Sequence, residues 1–470
     1  MESDFIRLQH CFTQQQRAAR QHPYPTLAQR QGDLTALAQL LLEYQHALQQ
    51  ALAADFSHRS VIETQLAEIF PSLQAIKDAK KRLPRWIKSE KRHVSLWFQP
   101  ARAQVMPQPL GVVGIIVPWN YPLYLSFGPL VAALAAGNRA MLKLSEYTPQ
   151  TAIVLQQAFH RYFSEDKIAI ITGDAAVAAT FAQQPWDHLF FTGSTTVGHK
   201  VMQAAATNLT PVTLELGGKS PVFIASDADI AHAAERIAVG KLLNAGQTCV
   251  APDYVWVHES QQAAFIAHYQ RAVGRYYPRL QHNPDYTAII HPQHKQRLHA
   301  LLEEAVGQGA EVIEINPAQE DLGISQKLAP YLVCQTHPSM RLMQEEIFGP
   351  ILPVVTYRAE EEVLTCLQTQ PRPLALYLFD RNRQRIQRFL QHTHSGGVTI
   401  NDTVLHVAQD DLPFGGIGAS GMGHYHGYEG FLTFSKLKPV FEVGRYSPLP
   451  WLSPPYGKLV NTLLRLMLRK

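Results

Sequence analysis

The stretch Asn244-Ala245-Gly246-Gln247-Thr248-Cys249 places a thiol behind small and polar residues. Gly246 lets the backbone pass close to a bound substrate and turns a neighbouring amide toward the sulfur, the usual presentation of a nucleophilic cysteine. Free cysteines are also among the most buried residue types and behave as small hydrophobes. The thiol alone therefore leaves both readings open. Attack by a thiol on a carbonyl needs a donor for the developing oxyanion and a base for the later water. Three stretches carry groups of those types: Pro118-Trp119-Asn120-Tyr121-Pro122, Leu214-Glu215-Leu216-Gly217-Gly218-Lys219 and Glu345-Glu346-Ile347-Phe348-Gly349-Pro350. Two of them also have a plainer reading, Asn120 as a turn residue between prolines and Glu215 as a strand-end carboxylate in a salt bridge.

Two glycine-rich segments bear on phosphate binding. Phe191-Thr192-Gly193-Ser194-Thr195-Thr196-Val197-Gly198 follows a strand-like run and opens a helix-like one, so its amides can receive a pyrophosphate. An ordinary strand-to-helix turn fits the spacing equally well. Gly416-Ile417-Gly418-Ala419-Ser420-Gly421 matches GxGxxG, but no helix follows it and no acidic residue ends a βαβ unit about 20 positions on. It is predicted to be a loop that turns the backbone sharply. Lys143 and Glu146, taken alone, are surface charges. His392 with His394, and His424 with His426, stand two apart, yet no Cys or acidic cluster accompanies either pair, and a metal needs three or four converging ligands. No metal site is expected.

The elements that must hold these residues read as an α/β alternation. Short apolar runs at 112–117, 140–144, 168–172, 188–192 and 212–216 are separated by helix-compatible segments, as in a parallel sheet buried on both faces. The rhythm repeats at 222–225, 254–257, 352–356 and 375–379, which predicts a second α/β domain. Ahead of both, Leu37, Leu41 and Leu48 recur at helical spacing behind Asp33 as a cap, and a second helical stretch spans 61–83. Both are expected to be packing helices. The basic run from Lys77 to Arg92 is expected to be a solvated face or linker.

Bulk properties exclude several classes. A chain of 470 residues implies two or three domains. Its net charge of +4 gives no case for a nucleic-acid partner. Charged residues make up 17%, low enough against the roughly 25% of typical soluble chains to suggest surface covered by a partner subunit. Cys11, Cys249, Cys334 and Cys366 form neither a disulfide framework nor a zinc pattern. No secretory signal and no spanning helix is read from the sequence, and a cytoplasmic location is expected.

The ordered set Asn120, Lys143-Leu144-Ser145-Glu146, the 191–198 loop, Glu215-Leu216-Gly217-Gly218-Lys219, Cys249 and Glu346-Ile347-Phe348-Gly349-Pro350 resembles the aldehyde dehydrogenase superfamily over 34–441. The resemblance implies an α/β fold with two Rossmann-like parallel-sheet domains and a small bridging and oligomerisation element. The expected divisions are 1–217 for cofactor binding, with part of the bridging element near 85–110, 218–395 for the domain carrying the nucleophile, and 396–470 for the bridging segment and tail. It implies that Cys249 attacks an aldehyde to give a thiohemiacetal, that Asn120 and the Cys249 amide hold the oxyanion, and that Glu215 activates water to release the acid from a thioester. Lys143 and Glu146 would meet the adenosine ribose, Gly193, Ser194 and Gly198 would form the cofactor loop, Glu346 would hold the nicotinamide ribose and Phe348 would pack near the ring. A carboxylate at the ribose disfavours a 2′-phosphate, so NAD is expected, with NADP also admitted.

The segments 396–402 and 412–427 are similar to the class 3 and fatty-aldehyde group, and within it to bacterial coniferyl aldehyde dehydrogenases. Leu144 departs from that group, where proline is usual. The substrate expected is an aromatic aldehyde, or in the alternative a medium-to-long aliphatic one. Trp119, Tyr121 and Tyr124 either line its access passage or pack in the core. A non-catalytic relative and a thiol esterase are the readings from other classes. A homodimer is expected. Leu459, Val460, Leu463, Leu464, Met467 and Leu468 share a helical face flanked by Lys458, Arg465, Arg469 and Lys470, expected to dock on the protein, with peripheral membrane contact as the alternative.

Overall fold

Strands that are apolar on both faces need helices on both sides, and this chain supplies them in alternation. The computed structural model describes residues 2–445, 447 and 449–468. In it Val112–Ile116, Arg139–Lys143, Ile168–Ile171, His188–Thr192 and Val212–Glu215 form one parallel sheet. Their spatial order is 212–215, 188–192, 112–116, 139–143, 168–171. The progression reverses between 112–116 and 188–192, and the carboxyl ends of strands flanking such a switch open a crevice suited to a ligand. Asn120, Lys143, Gly193 and Glu215 all end or follow these strands.

A second sheet is parallel through Tyr331–Cys334, Ile351–Tyr357, Tyr254–His258, Pro221–Ile224, Ala375–Phe379 and Gly397–Ile400, with Glu311–Glu314 antiparallel at one edge. Glu90–Arg92, Arg102–Pro109 and Ser435–Glu442 make a small antiparallel sheet. Each strand predicted for the two large sheets is present with its ends within one residue. The additional ones are polar, short or partly exposed: Glu311–Glu314 carries two glutamates, and Arg102–Pro109 contains two prolines and meets solvent. The segment 396–470 is shared among all three sheets. Gly397–Ile400 joins the second, Gly421–Met422 the first and Ser435–Glu442 the third.

A helix outside the sequence reading, Glu2–Gln21, opens the chain, and the first expected helix starts earlier than its leucine period implies. The latter is Leu27–Asp55, capped by Thr26 in a capping box with Gln29, upstream of the predicted start. Asp33 is not a cap; it lies within the helix and pairs with Lys167 at 2.7 Å. The apolar period hid the true start because the first turns bury Arg30, which donates to the carbonyls of Ala135 and Ala136. The second stretch begins at Val61 behind the Ser60 cap, passes one π-helical turn at Gln65–Ile69 and continues as Phe70–Trp86. Lys77, Lys81, Arg85, Lys88 and Lys91 are exposed, and Arg82 pairs with Asp78 and Asp411. Tyr124–Ala136 is buried all round, as expected of a helix apolar on every face.

The 416–421 segment turns as the sequence reading expected, with Gly418 at φ 67° and Gly421 at φ 150°. It thereby lays Gly421 antiparallel against Glu215. The tail forms a helix, Lys458–Met467. Val460 is buried, while Leu459, Leu464, Leu466, Met467 and Leu468 are exposed, so docking involves only part of the predicted face. Arg469 and Lys470 lie outside the described residues. Among the described residues, no helix is long and apolar enough to cross a membrane.

A Cβ at position 421 would stand 2.3 Å from the Leu214 carbonyl oxygen at a φ that L-residues rarely adopt. Gly421→Ala is therefore expected to destabilise the chain by about 2–4 kcal/mol through strain and overpacking. Denaturant unfolding checks this, and an unchanged midpoint would contradict it.

Candidate active site

The helix Ile230–Leu242 delivers the chain into a strained turn in which Asn244 has φ 53°, Ala245 φ 51° and Gly246 φ 75°. Three left-handed residues in succession persist only where their surroundings over-determine them. Here the surroundings do so. The Asn244 amide N–H donates to Glu63 at 3.2 Å, and its side chain donates to the carbonyls of Asn120 and Gln247, each at 3.1 Å. The Gln247 side chain donates to the carbonyls of Asn244 and Ala288 and accepts from the Ile290 amide. Thr248 shares a 2.7 Å hydroxyl bond with Tyr121. Gly246 has no alternative, because a Cβ there would lie 2.4 Å from the Gly349 carbonyl oxygen. Cys249 emerges from this turn partly exposed.

Asn120 is buried, and its side-chain amide reaches the Gln247 carbonyl at 3.2 Å, two residues before the thiol. One of its two N–H bonds is thus spoken for and the other is free to donate. Its backbone carbonyl accepts from Arg59 at 2.8 Å. Arg59 pairs with Glu68 at 2.9 Å with both side chains wholly buried. Glu68 also accepts from the amides of Leu123 and Tyr124, at 2.7 and 3.2 Å. The rings of Phe56 and Tyr121 flank the guanidinium. Glu63 completes the support, accepting from Thr287 at 2.5 Å as well as from Asn244. The second stretch, read as a mere packing helix, therefore carries Glu63 and Glu68, and the loop before it carries Arg59, the charges that place Asn120 and the cysteine turn. The visible signal was a glutamate at position 68 beside the apolar Leu66, Ile69 and Leu73.

Two carboxyl groups gather around the thiol. Glu215 is buried with neither carboxylate oxygen hydrogen-bonded, and burial holds its pKa well above the ordinary carboxylate value. Burial raises Glu346 to about 8, reinforced by Asp253 and opposed by the Gly218 amide, Lys219 and Arg297. Cys249 is pushed up to about 12, first by desolvation and then by the two glutamates. Glu346 lies against Gly217 so closely that a Cβ there would be 2.0 Å from its carboxylate oxygen. Lys219 binds Asp253 and the carbonyls of Leu342 and Glu345, and Asp253 accepts from the Ile347 amide, which fixes the strand end to the 345–349 loop. Tyr377 and Tyr425 are within electrostatic reach of the thiol, and the buried Tyr425 hydroxyl has no hydrogen-bond partner.

The remaining sequence-derived residues border the crevice at the sheet's switch point. Ser194 caps the helix Thr195–Ala206 by accepting from Val197. The other N–H groups of that first turn have no acceptor within the helix. Gly193 and Gly198 keep the loop thin, since a Cβ would meet Phe191 at 2.5 Å or Leu216 at 2.7 Å. Lys143 is buried with its ammonium bonded to the Leu144 carbonyl and 3.8 Å from Glu146, which is itself exposed. Phe348 stands edge-on to Trp119 at 5.4 Å. Tyr121 and Tyr124 are buried with their hydroxyls on Thr248 and His426, whereas Trp119 is partly exposed. Backbone donors and a thin glycine loop, with the exposed carboxylate of Glu146 beside Lys143, together form a cradle that fits a dinucleotide. Among the described residues no three His, Cys, Asp or Glu side chains gather to hold a metal.

The family described as "Aldehyde dehydrogenase family" matches residues 7–440. A probable coniferyl aldehyde dehydrogenase of Pseudomonas aeruginosa is 51% identical over 98% of this chain and 96% of its own length. A coniferyl aldehyde dehydrogenase of a Pseudomonas species is 46% identical over 91% of this chain and 89% of its own. Among solved structures, the substrate-bound state of Staphylococcus aureus AldH superimposes with a TM-score of 0.92 at 37% identity, covering 98% of this chain and 99% of that one.

Removing one partner of the buried pair leaves an uncompensated charge, so Arg59→Met is expected to destabilise the chain by about 3–5 kcal/mol. Adding Glu68→Gln to that variant is expected to restore part of the loss. Urea unfolding of both variants checks the sign, and a double variant no more stable than Arg59→Met would refute the coupling.

Proposed function

The chain belongs to the aldehyde dehydrogenase family, and from that premise we propose that it oxidises aromatic, coniferyl-type aldehydes to their acids with NAD. Aldehyde oxidation with a nicotinamide cofactor is the family's reaction. The observation that carries the residue assignments is the convergence of Cys249, Glu215 and Asn120 at one point of the crevice. The Cys249 thiol gives its proton to solvent and attacks the aldehyde carbon as the thiolate, while the free N–H of Asn120 and the Cys249 amide stabilise the oxyanion. A bound nicotinamide would supply the hydride acceptor that takes the thiohemiacetal on Cys249 to a thioester. Glu215 then takes a proton from water, which attacks the acyl carbon and releases the acid and the thiol. A carboxyl group kept uncharged by burial until a water or ligand reaches it suits that role.

Lys143 and Glu146 would hold the adenosine ribose, the loop at Gly193, Ser194 and Gly198 the pyrophosphate, and Glu346 with Phe348 the nicotinamide side. The carboxylate of Glu146 beside Lys143 supports NAD over NADP, since it accepts from ribose hydroxyls and repels a 2′-phosphate. The aromatic preference is supported by the two coniferyl-named relatives and by the rings of Trp119, Phe348, Tyr377 and Tyr425 around the site. A homodimer is supported by Leu96, Trp97, Phe98, Leu437 and Phe441, exposed on and beside the small sheet. The exposed leucines of Lys458–Met467 favour peripheral contact of the tail with a membrane, and a cytoplasmic location accords with that arrangement.

NADH formation by the purified chain is expected to be at least about tenfold more efficient, as kcat/KM, with coniferaldehyde than with short aliphatic aldehydes. A rate that rises with aliphatic chain length would replace the aromatic reading. Cys249→Ala is expected to abolish turnover, and substantial remaining NADH formation would overturn the mechanism. Glu215 must be ionised to act as a base, so its raised pKa means that the hydrolytic rate falls as pH drops through that value, above the ordinary range of about 4.3. Glu215→Gln is expected to lower the rate by about 10²–10⁴-fold and to remove that ascending limb. An unchanged pH profile in this variant would assign the base elsewhere.

A further inference from the structure

The helix Pro292–Gly307 grips the 345–349 loop through consecutive backbone carbonyls. Arg297 donates to Glu346 at 2.6 Å and to Ile347 at 2.8 Å, and His294 donates from Nε2 to Phe348 at 2.8 Å. A carbonyl accepts only, so this nitrogen carries the proton. Burial lowers the ring's pKa to about 4, which keeps it neutral and in that tautomer at ordinary pH. Gly349 leans on Leu298, where a Cβ would lie 2.5 Å from the side chain. Phe348 has φ 55°, a left-handed conformation that a bulky residue keeps only when held there. The same His294 ring stands edge-on to Trp119 at 5.7 Å, next to the oxyanion donor Asn120. At the helix's start the His291 ring stacks on Tyr147 at 4.7 Å, just past Lys143 and Glu146 in the chain.

We propose that His294 and Arg297 are positioning residues for the nicotinamide half of the cofactor. They hold Glu346 and Phe348 in their binding geometry and join that loop to the segment carrying Asn120. Neither touches the reacting atoms; they act through the backbone of the residues that meet the ligand. The assignment rests on the reading of Glu346 and Phe348 as the nicotinamide-side pair. It explains why a cost in backbone strain at Phe348 is met by side chains from another element rather than by a glycine.

Calorimetric titration of the full chain with NADH and with ADP-ribose, which lacks the nicotinamide, separates the two halves of the site without requiring turnover. His294→Phe is expected to weaken NADH binding about tenfold while ADP-ribose affinity stays within about twofold. His294→Gln, whose amide can reach the same carbonyl, is expected to recover most of the loss. Arg297→Lys, which cannot serve two carbonyls in a fork, is expected to act in the same direction should His294→Phe fail to fold. Unchanged NADH affinity, an equal fall for both ligands, or no recovery in His294→Gln would overturn the proposal. Glu346→Gln tests the underlying reading. If it leaves the NADH to ADP-ribose ratio unaltered, Glu346 does not face the nicotinamide and the proposal falls with that assignment. If it shifts the ratio while the His294 and Arg297 variants do not, the clamp alone is wrong.

Discussion

Three successive residues held at positive φ, Asn244, Ala245 and Gly246, are the constraint on which the rest of the site depends. Left-handed backbone costs a non-glycine residue roughly 1–2 kcal/mol, and two of the three are not glycine. The turn survives because its polar groups are claimed from several directions at once, by Glu63 from the N-terminal region, by the Asn120 carbonyl from the first sheet and by Gln247 from its own loop. The Asn120 carbonyl is itself anchored by Arg59, whose charge is balanced by Glu68. Strain at the thiol is thus transferred through hydrogen bonds to an ion pair that is fully buried. Such a pair is weak evidence for net stability, since desolvating both ions offsets much of their attraction. Its value here is geometric: it fixes a carbonyl that in turn fixes the nucleophile's loop and the amide expected to receive an oxyanion.

The same desolvation sets the chemical state of the site. Cys249, Glu215 and Glu346 stand near one another, and the cations beside them are shared: Lys219 is committed to Asp253 and to two carbonyls, Arg297 to the carbonyls of Glu346 and Ile347, and the buried Lys241 faces Asp253 as well as Glu346. Burial and mutual repulsion therefore favour the uncharged thiol and the uncharged acids. A group stored as its conjugate acid becomes a base only when water or a ligand supplies compensating hydrogen bonds. Both Glu215 oxygens lack such bonds, which leaves this carboxyl group more responsive to an arriving water than one already satisfied by backbone amides.

Much of the fold was legible because its central strands are continuous apolar runs, and a parallel sheet covered on both faces leaves few other ways to arrange them. The small sheet was not legible: Arg102–Pro109 is interrupted by prolines, and its partner Ser435–Glu442 carries charged residues on exposed positions. The helix start at Leu27 was missed because the period of the leucines says nothing about caps, whereas Thr26 and Gln29 at capping-box spacing did announce it. In the site, Cys249, Glu215 and Asn120 stood out through residue type and order. Arg59, Glu68, His294 and Arg297 did not, since a charge in a short loop, or charges and histidines within helical segments, read as solvent-facing until tertiary packing shows what they touch.

The arrangement also limits how the chain can move. The thiol follows a helix that leads from the second sheet, while Asn120 and Glu215 end strands of the first. Their relation is held by the bond from Asn120 to Gln247, the bond from Tyr121 to Thr248 and the pairing of Gly421 with Glu215. A hinge that opened the two sheets would break the first two bonds and disturb the oxyanion donor with the nucleophile. Ligand exchange with retention of the site therefore calls for motion in segments outside this framework. The 345–349 loop is not one of them while Lys219, Asp253, His294 and Arg297 hold it from two sides. The segment after Lys143 presents Glu146 and Tyr147 to solvent, and its link to the second sheet's side is the His291 ring stacked on Tyr147. With Glu346 and Phe348 proposed to meet the nicotinamide and Glu146 the adenosine ribose, registration falls to the first pair and exchange to the second.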